Sequence, residues 1–154
     1  MLLSNSILRL RALEPEDLDM LYLWENSAPL WIHGNSLSPY SRMALRQYIN
    51  ETQQTDIYES KQLRLVIELI EDKSAVGVID LYDFDIRNRR AGIGILVDPA
   101  YRGKGYASQS LVIVQEYAFS FLALHQLYAH ILESNEISLH LFAKAGYKQT
   151  GILK

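Results

Sequence analysis

The chain has no cysteine among its 154 residues, which excludes disulfide bridges, thiol nucleophiles and cysteine-ligated zinc and leaves the redox compartment unmarked. Four prolines and eight glycines are too few for a linker or a low-complexity tract. Basic residues are outnumbered, 15 against 18 acidic, for a net charge of −3, and this balance argues against a nucleic-acid partner held by phosphate contacts. No apolar run approaches the length of a membrane span, and the opening Met1-Leu2-Leu3-Ser4-Asn5-Ser6 has neither the basic nor the apolar region of a signal peptide. A cytoplasmic protein with no membrane partner is therefore expected. Histidines 33, 125, 130 and 140 show no ligand spacing, so no metal is expected. Ser108 and Ser110 lack the Gly-x-Ser-x-Gly frame that would support a serine nucleophile.

What is present is enough for a single domain spanning 1–154, with 49% apolar residues to fill one core. Residues 6–13 read as a strand, and Pro15 then sits where the first turn of a helix tolerates proline. An irregular stretch at 27–37 precedes a second helix, opened by Ser38-Pro39 and running towards Gln54. Residues 61–70 and 74–84 are strand-like and form a hairpin through Glu71-Asp72-Lys73. A strand at 90–97, a helix after Lys104, a strand at 126–132, a helix from Asn135 and a last strand from Tyr147 complete the order β-α-α-β-β-β-α-β-α-β. That order predicts an α/β (α+β) domain with a mixed sheet and helices on both faces.

The most informative segment is Val97-Asp98-Pro99-Ala100-Tyr101-Arg102-Gly103-Lys104-Gly105-Tyr106-Ala107. A strand ends, Pro99 stops it, and a helix begins whose buried stripe is Ala107, Leu111, Val114, Ala118, Phe121 and Leu122. The first turn of that helix presents N–H groups without partners and the positive end of the dipole. Gly103 and Gly105 let a diphosphate approach the main chain, and Arg102 and Lys104 add charge. A bare Gly-x-Gly is also compatible with a surface loop that only caps a helix. Glycines 92 and 94 share one face of the preceding strand and leave it bare, open to a ligand arm or to a simple weakening of the strand.

The run Arg102 to Ala107 resembles the acyl-CoA pyrophosphate loop of the GCN5-related N-acetyltransferases, the GNAT superfamily. Downstream, Asn135-Glu136-Ile137-Ser138-Leu139-His140-Leu141-Phe142-Ala143-Lys144-Ala145-Gly146-Tyr147 is similar to that family's second signature, an Asn-capped helix closing on Gly-Phe or Gly-Tyr. Within the family, 89–147 looks most like the spermidine and ribosomal-protein acetyltransferases.

The resemblance implies a GNAT fold, mostly antiparallel, with splayed central parallel strands that admit acetyl-CoA as cosubstrate. It implies cofactor contacts from Ile95, Leu96, Val97, Arg102, Gly103, Lys104, Gly105, Tyr106, Ala107 and Asn135, with main-chain N–H groups near Leu96 and Val97 polarising the acyl carbonyl. The reaction implied is acetyl transfer to a primary amine by direct attack in a ternary complex. A polyamine or similar small amine, or a peptide amine, is the expected acceptor. A ribosomal-protein-type N-terminal acetyltransferase and a catalytically weak acyl-CoA-binding module are the alternatives.

Two positions depart from the family pattern. Phe142 stands where relatives carry the tyrosine that protonates the leaving thiolate, with Ser138 one turn earlier on the same helical face. Gly92 stands where many polyamine-type relatives carry a glutamate base, for which Asp80 on the third strand is the substitute; a solvent-facing strand carboxylate is the plain alternative. Tyr82 shares Asp80's strand face by period two and, with Trp31 and His33 in the first crossover, is expected to line the acceptor pocket. The family's last strand has little sequence left beyond Thr150, so it is expected to be short or missing. The sheet edge left open could be covered by a second subunit in a homo-oligomer.

Overall fold

The computed structural model describes residues 2–26 and 40–152. Strand β1 (Leu8–Ala12) leads through a 3-10 turn (Pro15–Asp17) into helix α1 (Leu18–Glu25); helices α2 (Arg42–Thr52) and α3 (Ile57–Ser60) follow. Strands β2 (Leu63–Leu69), β3 (Ala75–Asp85) and β4 (Arg90–Val97) come next, then a 3-10 turn (Pro99–Tyr101) and helix α4 (Tyr106–Glu116), which widens into a π turn (Tyr117–Phe121). Strand β5 (Gln126–Tyr128) and helix α5 (Glu136–Lys144) close the order. The sheet runs β1-β2-β3-β4-β5, antiparallel throughout except for the parallel pair β4 and β5.

Alternation along the strands sends side chains to two cores. On one face Leu65, Ile67, Ile79, Leu81 and Ile93 pack with Leu111 and Val114 of α4, Ala118 of the π turn and Phe142 of α5, while Phe121, expected in the same stripe, is exposed because the π turn rotates it outward. On the other, Val66 and Val78 pack with Leu21 and Trp24 of α1 and Leu45 and Ile49 of α2. The expected α/β layering with helices on both faces is therefore observed. No helix among the described residues is long and apolar enough to cross a membrane.

Four expectations about the elements need correction. Helix α2 starts at Arg42, where the Ser41 hydroxyl accepts the Ala44 N–H at 3.0 Å and caps the first turn. Helix α3 was not foreseen; Asp56 caps it by accepting from the N–H groups of Tyr58 and Glu59, a cap that four residues of helix made hard to see. No strand follows α5 among the described residues: the Tyr147 N–H is spent on the Phe142 carbonyl, closing the helix, and 148–152 form no strand. The fifth strand, expected at 126–132, stops at Tyr128 because its partner leaves it there.

Candidate active site

Strand β5 pairs with β4 only at Arg90↔Gln126, Ala91↔Leu127 and Gly92↔Tyr128. Beyond Gly92 the two strands part. The Asp98 N–H donates to the Val76 carbonyl at 2.8 Å, and Gly77 faces Val97 in unbroken register down to Tyr82↔Gly92. In an antiparallel pair main-chain groups point alternately to either side, so Gly92, Gly94 and Leu96 direct theirs to β3. Ile93, Ile95 and Val97 direct theirs to the side β5 has abandoned. A wedge results, with unspent main-chain donors and acceptors along one wall, which suits an extended chain carrying amides. The donors expected at Leu96 and Val97 thus separate: Val97 faces the wedge and Leu96 does not.

At the open end of the wedge lies the glycine turn. Asp98 Oδ1 accepts the Ala100 N–H at 2.9 Å, and Oδ2 accepts the Trp24 indole N–H at 2.7 Å, so the carboxylate fastens the turn to α1. Gly103 and Gly105 adopt φ of +77° and +80°, the left-handed region that other residues enter only at a cost. Gly105 is the N-cap of α4 and brings no side chain to occupy the first-turn N–H groups. Arg102 and Lys104 are exposed beside it. Asn5 donates to the Gln109 carbonyl oxygen at 3.0 Å and ties the second turn of α4 to the start of the chain. Main-chain N–H groups, a dipole end and two cations converge here, an arrangement suited to a diphosphate.

On the α1 and α2 face, cross-strand pairing lines up two rows, Arg64·Asp80·Gly94 and Tyr82·Gly92·Tyr128. Arg64 donates to Glu25 Oε1 at 2.6 Å and lies over the Tyr48 ring, 5.6 Å from its centroid. Its Nε is buried without a partner among the described residues. Burial pushes the Asp80 carboxyl above the usual carboxylate range, with Arg64 pulling it down and Glu25 adding to the rise. A Cβ placed on Gly94 would sit 3.4 Å from Asp80 Oδ1, so this carboxylate leans over β4. A Cβ placed on Gly92 would lie 2.3 Å from Tyr82 Cε2 and 2.4 Å from Cζ. The two glycines thus serve different ends: the face expected to be bare at Gly92 is filled by the Tyr82 ring.

The family model for the acetyltransferase (GNAT) domain matches residues 8–148. The chain belongs to the GNAT acetyltransferase family. Spermidine N(1)-acetyltransferase of Escherichia coli (strain K12) is 28% identical over 153 residues, 97% of this chain and 77% of that protein. The crystal structure of spermidine N-acetyltransferase from Vibrio cholerae in complex with CoA and spermine aligns with a TM-score of 0.86 at 29% identity, covering 97% of this chain and 85% of that one. A dodecameric structure of the Vibrio cholerae enzyme aligns with a TM-score of 0.80 at 30% identity, covering 97% and 84%. This GNAT chain is accordingly an acyl-CoA-dependent N-acetyltransferase with acetyl-CoA as cosubstrate.

Within the GNAT frame the expected site residues separate. Asp80, Tyr82 and the wedge of β4 come together. Phe142 is 4% exposed, sunk in the apolar core with its ring edge-on to Tyr147 at 5.0 Å between centroids, and a hydrocarbon edge moves no proton. Asn135 accepts the Ser138 N–H at 3.2 Å through Oδ1, so its carbonyl caps α5 and its amide nitrogen is left to donate to a ligand. Trp31 and His33 lie outside the described residues. Two bonds between Asn26 and Tyr40, at 2.7 and 2.9 Å, draw the ends of that segment together. Arg64 and Tyr128 were not anticipated. The signal for Arg64 was available: a charge at an inward position of a mostly apolar strand, which stays buried only when paired.

Proposed function

We propose that this chain acetylates a primary amine of a linear polyamine, with acetyl-CoA as donor. The observation that carries the reading is the row Arg64·Asp80·Gly94, which sets a carboxylate over the wall of the wedge with Glu25 behind it, two negative charges against one positive on the acceptor face. The 0.86 alignment with a relative holding CoA and spermine supports it. Residues 102–107 would hold the diphosphate, and Ile95 and Val97 would take the amides of the pantetheine arm.

A thioester is a good acyl donor, so the protein's work is positioning, deprotonation and charge stabilisation. An alkyl ammonium with pKa near 10.4 is neutral about once in two thousand molecules at pH 7, so a base must hold the amine in its neutral form. Asp80, directly or through water, is that base in this reading. The nitrogen lone pair adds to the acetyl carbon, a main-chain N–H of the wedge meets the developing oxyanion, and the C–S bond breaks with its electrons on sulfur. Assembly into a homo-oligomer, as in the dodecameric relative, is part of the same proposal.

The buried Phe142 favours a second reading, a CoA-binding module with little turnover. A thiol-release screen over polyamines, peptides and aminoglycosides separates the two. Release with spermidine or spermine above the other amines is the expected result. Thermal stabilisation by acetyl-CoA with no release from any amine would overturn the enzyme reading and leave the binding module.

A further inference from the structure

With Phe142 unable to donate, the reaction needs another way of delivering a proton to sulfur. We propose that Tyr82 is a catalytic residue of this transferase, passing a proton from the attacking nitrogen to the departing thiolate at the closed end of the wedge. The inference rests on the acetyl-transfer reading given above.

The position follows from reach. Five residue-to-residue steps along the strand separate Val97, beside the diphosphate turn, from Gly92, about 17 Å at the rise of a strand. An extended pantetheine arm, two amides joined by short methylene links, covers about the same distance. The sulfur of a coenzyme gripped at 102–107 therefore arrives near Gly92, where β4 and β5 come together.

The Tyr82 ring lies across Gly92, with Cζ, the carbon bearing the hydroxyl, 2.4 Å from where a Cβ would stand. Only glycine permits this crossing. Beyond it the ring meets Tyr128 of β5 edge-on, with 6.2 Å between centroids, so the phenol lies at the β5 side. Among the described residues no hydrogen-bond acceptor takes its O–H hydrogen. Burial pushes the phenol above its usual 10.0, so the group keeps its proton at neutral pH. Asp80, two residues along the same face, stands on the amine's side.

The step balances. After the neutral amine has added, its nitrogen carries an extra proton. As the C–S bond breaks with its pair on sulfur, the phenol gives its proton to sulfur and takes the one on nitrogen. The amide and the free thiol leave, and Tyr82 is regenerated.

The test is Tyr82→Phe, which keeps the ring against Gly92 and Tyr128 and removes the hydroxyl. The expected result is a fall in kcat of about 10²–10⁴-fold, with CoA affinity by calorimetry and KM for acetyl-CoA changed less than about twofold. Gly92→Ala is the second variant: its methyl group would displace the phenol, and the double variant should be no slower than the slower single one, since both remove one function. If Tyr82→Phe binds CoA and keeps kcat within about threefold of the parent enzyme, the shuttle is overturned and polyamine acetylation stands. If the parent binds CoA but releases thiol with no amine, the functional reading fails and the shuttle falls with it.

Discussion

Trp24 on α1 and Asp98 at the end of β4 share one hydrogen bond, 2.7 Å from the indole nitrogen to Oδ2, and it joins the first helix to the turn that leads into the Gly103 and Gly105 loop. The other oxygen of the same carboxylate holds the Ala100 N–H. Trp24 is 4% exposed, so the bond is shielded from competing water and its loss leaves a carboxylate lone pair unmet. Trp24→Phe should cost about 1–2 kcal/mol of stability and raise KM for acetyl-CoA several-fold with kcat little changed. Denaturant unfolding and steady-state kinetics on the one variant check both halves.

Gly105→Ala tests the turn without touching any side chain. The nearest atom a new Cβ would meet is Gln109 Nε2 at 3.7 Å, an ordinary contact, so space is not the obstacle. The obstacle is φ of +80°, which costs an L-residue about 1–2 kcal/mol. Relief of that strain would rotate the first-turn N–H groups away from the phosphates. Calorimetry should find CoA bound about ten times more weakly or worse, and unchanged affinity would count against residues 102–107 as the diphosphate site.

The pH dependence of the rate should carry the mark of Asp80. A base must be ionised to work, and burial lifts this carboxyl above its usual 3.8, so kcat/KM should begin to fall at a higher pH than an ordinary aspartate would dictate. Arg64→Met removes the nearby cation that opposes the lift, and the acid limb should move further up. Asp80→Asn should lower kcat by about 10²-fold or more and remove that limb. An acid limb unchanged in Asp80→Asn would assign the base elsewhere.

Acid should unfold the protein through its first two strands. Burial alone would raise Asp17 and Glu68, but Arg11 with the Glu14 N–H outweighs it at Asp17, and Arg9 with Arg11 outweighs it at Glu68, so both carboxyls lie below their usual values of 3.8 and 4.5. Arg11 reaches Asp17 at 2.8 and 2.9 Å and Glu68 at 2.9 Å. Groups depressed in the folded state lend stability that is complete above their unfolded pKa and is lost as pH falls through the folded one. Urea midpoints should therefore drop between about pH 5 and pH 3. Arg11→Met should be the less stable protein at neutral pH and should show a shallower drop.

Much of this was legible in the residues because it is local. Alternation in 90–97 marked β4 to the residue, and Pro99, Gly103 and Gly105 marked the turn, since proline stops a strand and glycine enters the left-handed region wherever it occurs. The paired signatures around 102–107 and 135–147 led to the GNAT family, which the match over 8–148 bears out. Three-residue β5 was misjudged because 129–132 has strand composition without a partner, and pairing belongs to the neighbour as much as to the segment.

What the sequence determined by itself was most of the order of elements, the glycine turn, and most of the hydrophobic faces, all of which depend on spacing along the chain. What the tertiary structure decided was which chemistry meets which. Period two placed Asp80 and Tyr82 on one face, but only the register of β2, β3 and β4 put Arg64 opposite Asp80 and the Tyr82 ring across Gly92. Register is set by cores on both sides of the sheet, summed over residues far apart in sequence, and no short motif records it.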